Sequence, residues 1–107
     1  MQVQINTDNT LPGREALLGE IETTVRDRLS RFEDRLTRVE VHLTDEDGSS
    51  RDLDDKRCMI EARPAGRDPV SVTDQAGSID QATAGALGKL TTVLERTFGR
   101  QTNRKGH

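Results

Sequence analysis

Apolar and polar positions alternate at a period of two over residues 1–6, with Val3 and Ile5 on one side and Gln2, Gln4 and Asn6 on the other. That pattern predicts a half-buried strand. Asp8, Asn9, Pro12 and Gly13 punctuate it. From Arg14 the spacing changes: Leu17 or Leu18, Ile21, Val25, Leu29 and Phe32 recur every three or four residues, and Leu36 closes the segment. One apolar stripe of this kind predicts an amphipathic helix. Glu22 and Arg26, and Asp27 and Arg31, stand one turn apart with the acid first, an order that supports an exposed helix face.

Val39, Val41 and Leu43 then alternate with Arg38, Glu40, His42 and Thr44, and Cys58, Ile60 and Ala62 alternate with Arg57, Met59, Glu61 and Arg63. These are two further one-sided strands. Residues 64–69 supply turn chemistry, and Val70 and Val72 against Ser71 and Thr73 form a shorter fourth strand. Gly77 precedes a candidate N-cap at Ser78. Ile79, Ala82, Ala86, Leu90, Leu94 and Phe98 line one face of a last helix, which Gly85 and Gly88 weaken, which Gly99 is expected to stop, and which leaves residues 101–107 as a polar tail.

The order is therefore β-α-β-β-β-α, an α+β fold. A four-stranded sheet with both helices packed on one face buries every apolar stripe and leaves Gln4, His42, Glu61 and Thr73 on an open, solvated face. The 107 residues form one domain, about residues 1–100, with the tail beyond it, and leave no room for a second.

Charge narrows the function. The net charge of -3 gives the chain as a whole no polycation signature for nucleic acid or anionic lipid, so any such role must be local. The acids concentrate in residues 45–55, where Asp45, Glu46, Asp47, Asp52, Asp54 and Asp55 oppose Arg51 alone. Placing Gly48 at the sixth position of a calcium loop seats Asp45 and Asp47 but puts Leu43 first and Asp54 twelfth, so the segment reads as a solvated hairpin loop. The rest of the chain is net positive. Lys89, Arg96, Arg100, Arg104 and Lys105 face only Glu95 over residues 81–107, and Arg28, Arg31, Arg35 and Arg38 follow the first helix stripe. Side by side on the helical layer, two such runs could grip phosphates without reading bases. Phe32 and Phe98 are the only aromatics and both lie on apolar stripes, so a base-stacking platform has no residues, and structured RNA is the form that survives.

The chain offers little for catalysis. Two histidines and one cysteine do not make a zinc site, and no glycine-rich phosphate loop or serine elbow is present. His42 sits on a polar strand face and Cys58 on an apolar one, which predicts an exposed side chain and a packing thiol. No metal, cofactor or small-molecule substrate is expected. The first residues have neither the basic start nor the apolar run of a signal peptide, and no stretch is apolar enough for a membrane span, so the cytoplasm is the expected compartment.

From MQVQINTDN through EALLGEIETTVRDRLSRFEDRLTRVEVHL to GALGKLTTVLERTFGR, the chain resembles the ribosome hibernation-promoting factor and ribosome-associated inhibitor family. RLTRVEVHL, DDKRCMIEARPAG and PVSVTDQA are the most specific segments, and they are similar to a small acidic branch of it. The resemblance implies a fold topologically akin to a double-stranded RNA-binding domain. It also implies binding to the small ribosomal subunit in its mRNA and tRNA channel, which blocks translation under stress. Basic helix residues do that work in the family, and Arg28, Arg31, Arg35, Lys89, Arg96 and Arg100 are the candidate rRNA contacts here. Val25 stands where short factors often carry lysine, and Leu94 and Phe98 belong to the core stripe. The family's long form adds a C-terminal ribosome-dimerisation domain, which is not expected in this chain. The alternative function is a stress-linked protein-binding module of the same fold, using the open sheet face or the acidic loop.

Overall fold

A computed structural model describes residues 1–7, 14–45 and 56–105, with residues 14, 45 and 100–105 described as backbone only. Strand β1 (Gln2–Thr7) leads to helix α1 (Arg14–Arg28), a 3₁₀ segment (Ser30–Arg35) and strand β2 (Leu36–Asp45). Strands β3 (Lys56–Pro64) and β4 (Val70–Ala76) precede the long helix α2 (Ile79–Lys105). The sheet order is β1-β2-β3-β4, with β1 parallel to β2 and the other pairs antiparallel.

Register explains the two faces. Val3, Val39, Ala62 and Val70 share one row across the sheet, and Ile5, Val41, Ile60 and Val72 the next. These rows meet Ile21 and Val25 of α1, Leu29 just after it, and Ala82, Ala86, Leu87, Leu90 and Leu94 of α2, so both helices cover the same face and seal one core. The opposite face carries the rows Gln4, Glu40, Glu61, Ser71 and Asn6, His42, Met59, Thr73, as the alternation predicts. Glu40 and Glu61 stand directly opposite each other there, and Arg38 (2.7 Å) and His42 (3.5 Å) reach the Glu40 carboxylate.

Ser78 caps α2 as expected: its Oγ accepts a hydrogen bond from the Gln81 N–H at 3.1 Å. Three local expectations fail. The first helix stripe does not end in an α-helix at Leu36: α1 finishes at Arg28, residues 30–35 tighten into 3₁₀ geometry after Leu29, and Leu36 opens β2. Phe32 and Leu36 are still buried, because a 3₁₀ turn and a strand end pack the same residues that a continued helix would have packed. With the helix over, Asp27 is not one turn below Arg31, which instead pairs with Glu95 of α2, while the Glu22–Arg26 pair forms at 3.0 Å. Nor does Gly99 stop α2, which continues to Lys105. A glycine terminates a helix by taking positive φ, and Gly66 alone does so among the described residues.

Candidate functional site

Of the six predicted basic residues, Lys89 meets the sheet edge on one flank of α2, and Arg31 and Arg35 meet the aromatic pair on another. Lys89 leans over the edge strand: its Nζ sits 3.1 Å from Asp74 Oδ1 and donates to the Thr73 carbonyl at 2.7 Å. Asp74 lies on the core-facing side of β4, in the row of Leu43 and Cys58. It packs so closely on α2 that a β-carbon at Gly85 would stand 1.9 Å from Asp74 Oδ2, so any larger residue there would have to displace the Asp74 carboxylate. An inward acid and a lysine on the last strand's carbonyl are devices that protect a sheet edge, and they commit Lys89 to the fold.

On the other flank Arg31 pairs with Glu95 through its Nη2 and rests over the Phe32 ring, 4.8 Å from its centroid. Arg35 rests at the same distance over Phe98. The two phenyl rings meet at 5.8 Å with a 37° tilt, joining the 3₁₀ segment to the far part of α2. Arg28 and Arg96 are exposed and form no ion pair among the described residues. Arg100 lies on α2, with its backbone alone described. Arg38 departs from its expected place on the helical layer: it belongs to β2, projects to the open sheet face, and donates to Gln4 Oε1 at 2.5 Å. It alternates with the inward Val39 and Val41, and the register shift between Leu36 and Arg38 lets Leu36, of the same parity, stay in the core.

The structure adds a cation that sequence spacing does not single out. Arg67, on the β3–β4 turn, points to the same Phe98 ring, with Cζ 6.0 Å from the centroid. The turn is held against the 3₁₀ exit by the Ala65 N–H donating to the Arg35 carbonyl at 2.9 Å, closed by the Arg67 N–H to the Pro64 carbonyl at 3.2 Å, and bent at Gly66, whose φ of 74° favours glycine. Arg35 and Arg67 line a cleft of about 610 Å³ with Phe98 in its wall. By contrast, the groove between α1 and α2 carries Glu20 and Asp80 and no cation, so it repels phosphate.

Catalytic alternatives find no second partner. Among the described residues no cluster of histidine, cysteine and carboxylate could hold a metal ion, and no helix is long and apolar enough to cross a membrane. Cys58 is fully buried, and burial pushes its thiol up to about 11, with the Thr83 hydroxyl opposing and the Asp74 carboxylate adding to the rise. It is a packing thiol. His42 is half-exposed beside Glu40. The acidic segment, including the weighed calcium loop, lies outside the described residues from position 46 to 55.

The family model described as Sigma 54 modulation protein / S30EA ribosomal protein matches residues 4–102. Among solved structures, the Thermus thermophilus Protein Y N-terminal domain is similar at 22% identity and TM-score 0.70, covering 91% of this chain and 99% of that one. A ribosomal subunit interface protein from Coxiella burnetii is similar at 14% identity and TM-score 0.67, covering 92% and 99%. Curated protein sequences gave no significant match. The family match spans nearly the whole chain, and the chain belongs to the Sigma 54 modulation protein / S30EA ribosomal protein family.

Proposed function

We propose, starting from that membership, that the chain is a non-enzymatic, ribosome-associated modulator of translation that binds structured rRNA of the small subunit. The observation that carries this reading is the family match over residues 4–102; the arrangement of cations supports the RNA part. Arg28, Arg35 and Arg96 are exposed and free of carboxylates among the described residues, so their guanidinium edges remain open to phosphate oxygens. Arg31 and Lys89 contribute only if they leave Glu95 and Asp74. Such binding reads shape and charge rather than bases, because Phe32 and Phe98 are buried at 6% and 7% exposure and present no stacking face. The cytoplasm is the corresponding compartment.

Sedimentation of the purified protein with small subunits on sucrose gradients tests this. Co-migration at low salt that falls steeply towards physiological salt is expected. No co-migration at low salt would refute ribosome association. A second reading, a protein-binding module of the same fold, is favoured by the pairing of Arg31 and Lys89, which withdraws two of the six cations. Neutralising the acids of residues 45–55 separates the two: ribosome binding strengthens under the first reading, and a loop-held protein partner is lost under the second.

A further inference from the structure

We propose that the cleft between Arg35 and Arg67 is a phosphate-binding subsite for the sugar–phosphate backbone of double-stranded RNA; this deepens the RNA-binding reading and rests on it. The two guanidinium groups converge on one ring, at 4.8 Å and 6.0 Å from the Phe98 centroid. Neither forms an ion pair among the described residues, although Asp34 lies on the rim of the same cleft. Arg26, Arg31, Arg38 and Lys89 all have carboxylate partners, so this convergence is not the general state of the surface.

Two like charges held together without an anion repel each other, and the fold maintains the arrangement through fixed backbone rather than loose side chains. The Ala65–Arg35 hydrogen bond sets the turn beside the 3₁₀ exit, and Gly66 bends it so that Arg67 follows directly. Both guanidinium groups sit over the Phe98 ring and form no ion pair among the described residues, which leaves their N–H groups for a ligand. An anion with several oxygens at the mouth relieves the repulsion and accepts from both forks, which is phosphate geometry. The ring itself is 7% exposed and covered by the arginines, so the subsite holds backbone phosphate and does not stack a base. The cleft lies where β2 begins and β3 ends, and Asp34 is the one carboxylate among its described lining residues.

The test is a titration of the full chain, ¹⁵N-labelled, with a twelve-base-pair RNA duplex, observed at the arginine Nε–Hε and backbone amide resonances. The Arg35 and Arg67 side chains and the amides of residues 65–67 should shift together. Arg67→Gln should weaken duplex binding about tenfold and lower the slope of log affinity against log salt by about one, with its melting temperature unchanged. Arg63→Gln, an equal charge change on the open sheet face, should leave affinity within about twofold. Unmoved Arg35 and Arg67 resonances, no duplex binding, or equal losses in the two variants would overturn the subsite. Because the duplex replaces the ribosome, failure of wild-type protein to sediment with small subunits would count against ribosome association while this titration still decides the cleft.

Discussion

The two ends of the β2–β3 ribbon handle charge in opposite ways. Where β2 begins and β3 finishes, Arg35 and Arg67 rest on Phe98 with no carboxylate partner among the described residues. Near the other end, seven residues and about 23 Å along β2, the row of Leu43, Cys58 and Asp74 is packed tight and Lys89 is closed onto Asp74. The acidic segment joins the sheet beyond that row, between Asp45 and Lys56. A net charge of -3 averages over this polarity and conceals it. What decides whether a cation can meet an RNA phosphate is whether a carboxylate already holds it, and that is a property of the fold.

The comparison breaks most severely at the aromatic floor. Phe98→Ala removes a buried ring that packs on Phe32 and carries two guanidinium groups, and should cost about 3–5 kcal/mol of stability by urea unfolding. A loss below about 1 kcal/mol would mean that the basic end is not built around that ring.

A smaller effect belongs to the packed end. Below pH 9 the Cys58 thiol is neutral in both folded and unfolded chains; between its ordinary value of 9.0 and about 11 the unfolded chain releases a proton that the native one retains. The raised native value therefore makes stability fall as pH rises through that window, by about 1.4 kcal/mol per unit. Unfolding free energies of wild type and Cys58→Ala at pH 8 to 11 should converge by about 2–3 kcal/mol. Parallel curves would show that the Cys58 row is open to water rather than sealed.

Much of this polarity was legible in the chain, and the missing parts share one cause. Alternation predicts the four strands and their faces because each strand is half-buried, and the Ser78 cap is local. Helix periodicity overran α1 because the 3₁₀ segment buries Phe32 as another helical turn would. Spacing does not single out Arg67, because Arg35 is 32 positions away and the two meet only through the β2–β3 register and the Ala65–Arg35 hydrogen bond. Spacing alone reads Lys89 as an open cation, yet the chain carries a signal against it: Val70, Val72 and Asp74 share a parity, and an acid at an inward position requires a partner.

That signal gives the finest test of the two ends, a pair of neutralising substitutions with opposite profiles. Lys89→Met leaves Asp74, whose side chain is 27% exposed, without its ammonium and frees the Thr73 carbonyl. Lys89 itself is 55% exposed, so water screens the pair, and the expected cost is about 1 kcal/mol of stability. Because Lys89 is already occupied, affinity for small subunits should change by less than about threefold. Arg67→Gln reverses the pattern: it removes no ion pair and should leave stability within about 0.5 kcal/mol, while lowering subunit affinity. Thermal melts and sedimentation on both variants measure the four quantities. If Lys89→Met instead loses affinity as strongly as Arg67→Gln, the Asp74 pair opens on the ribosome, and both flanks of α2 belong to one RNA-binding surface.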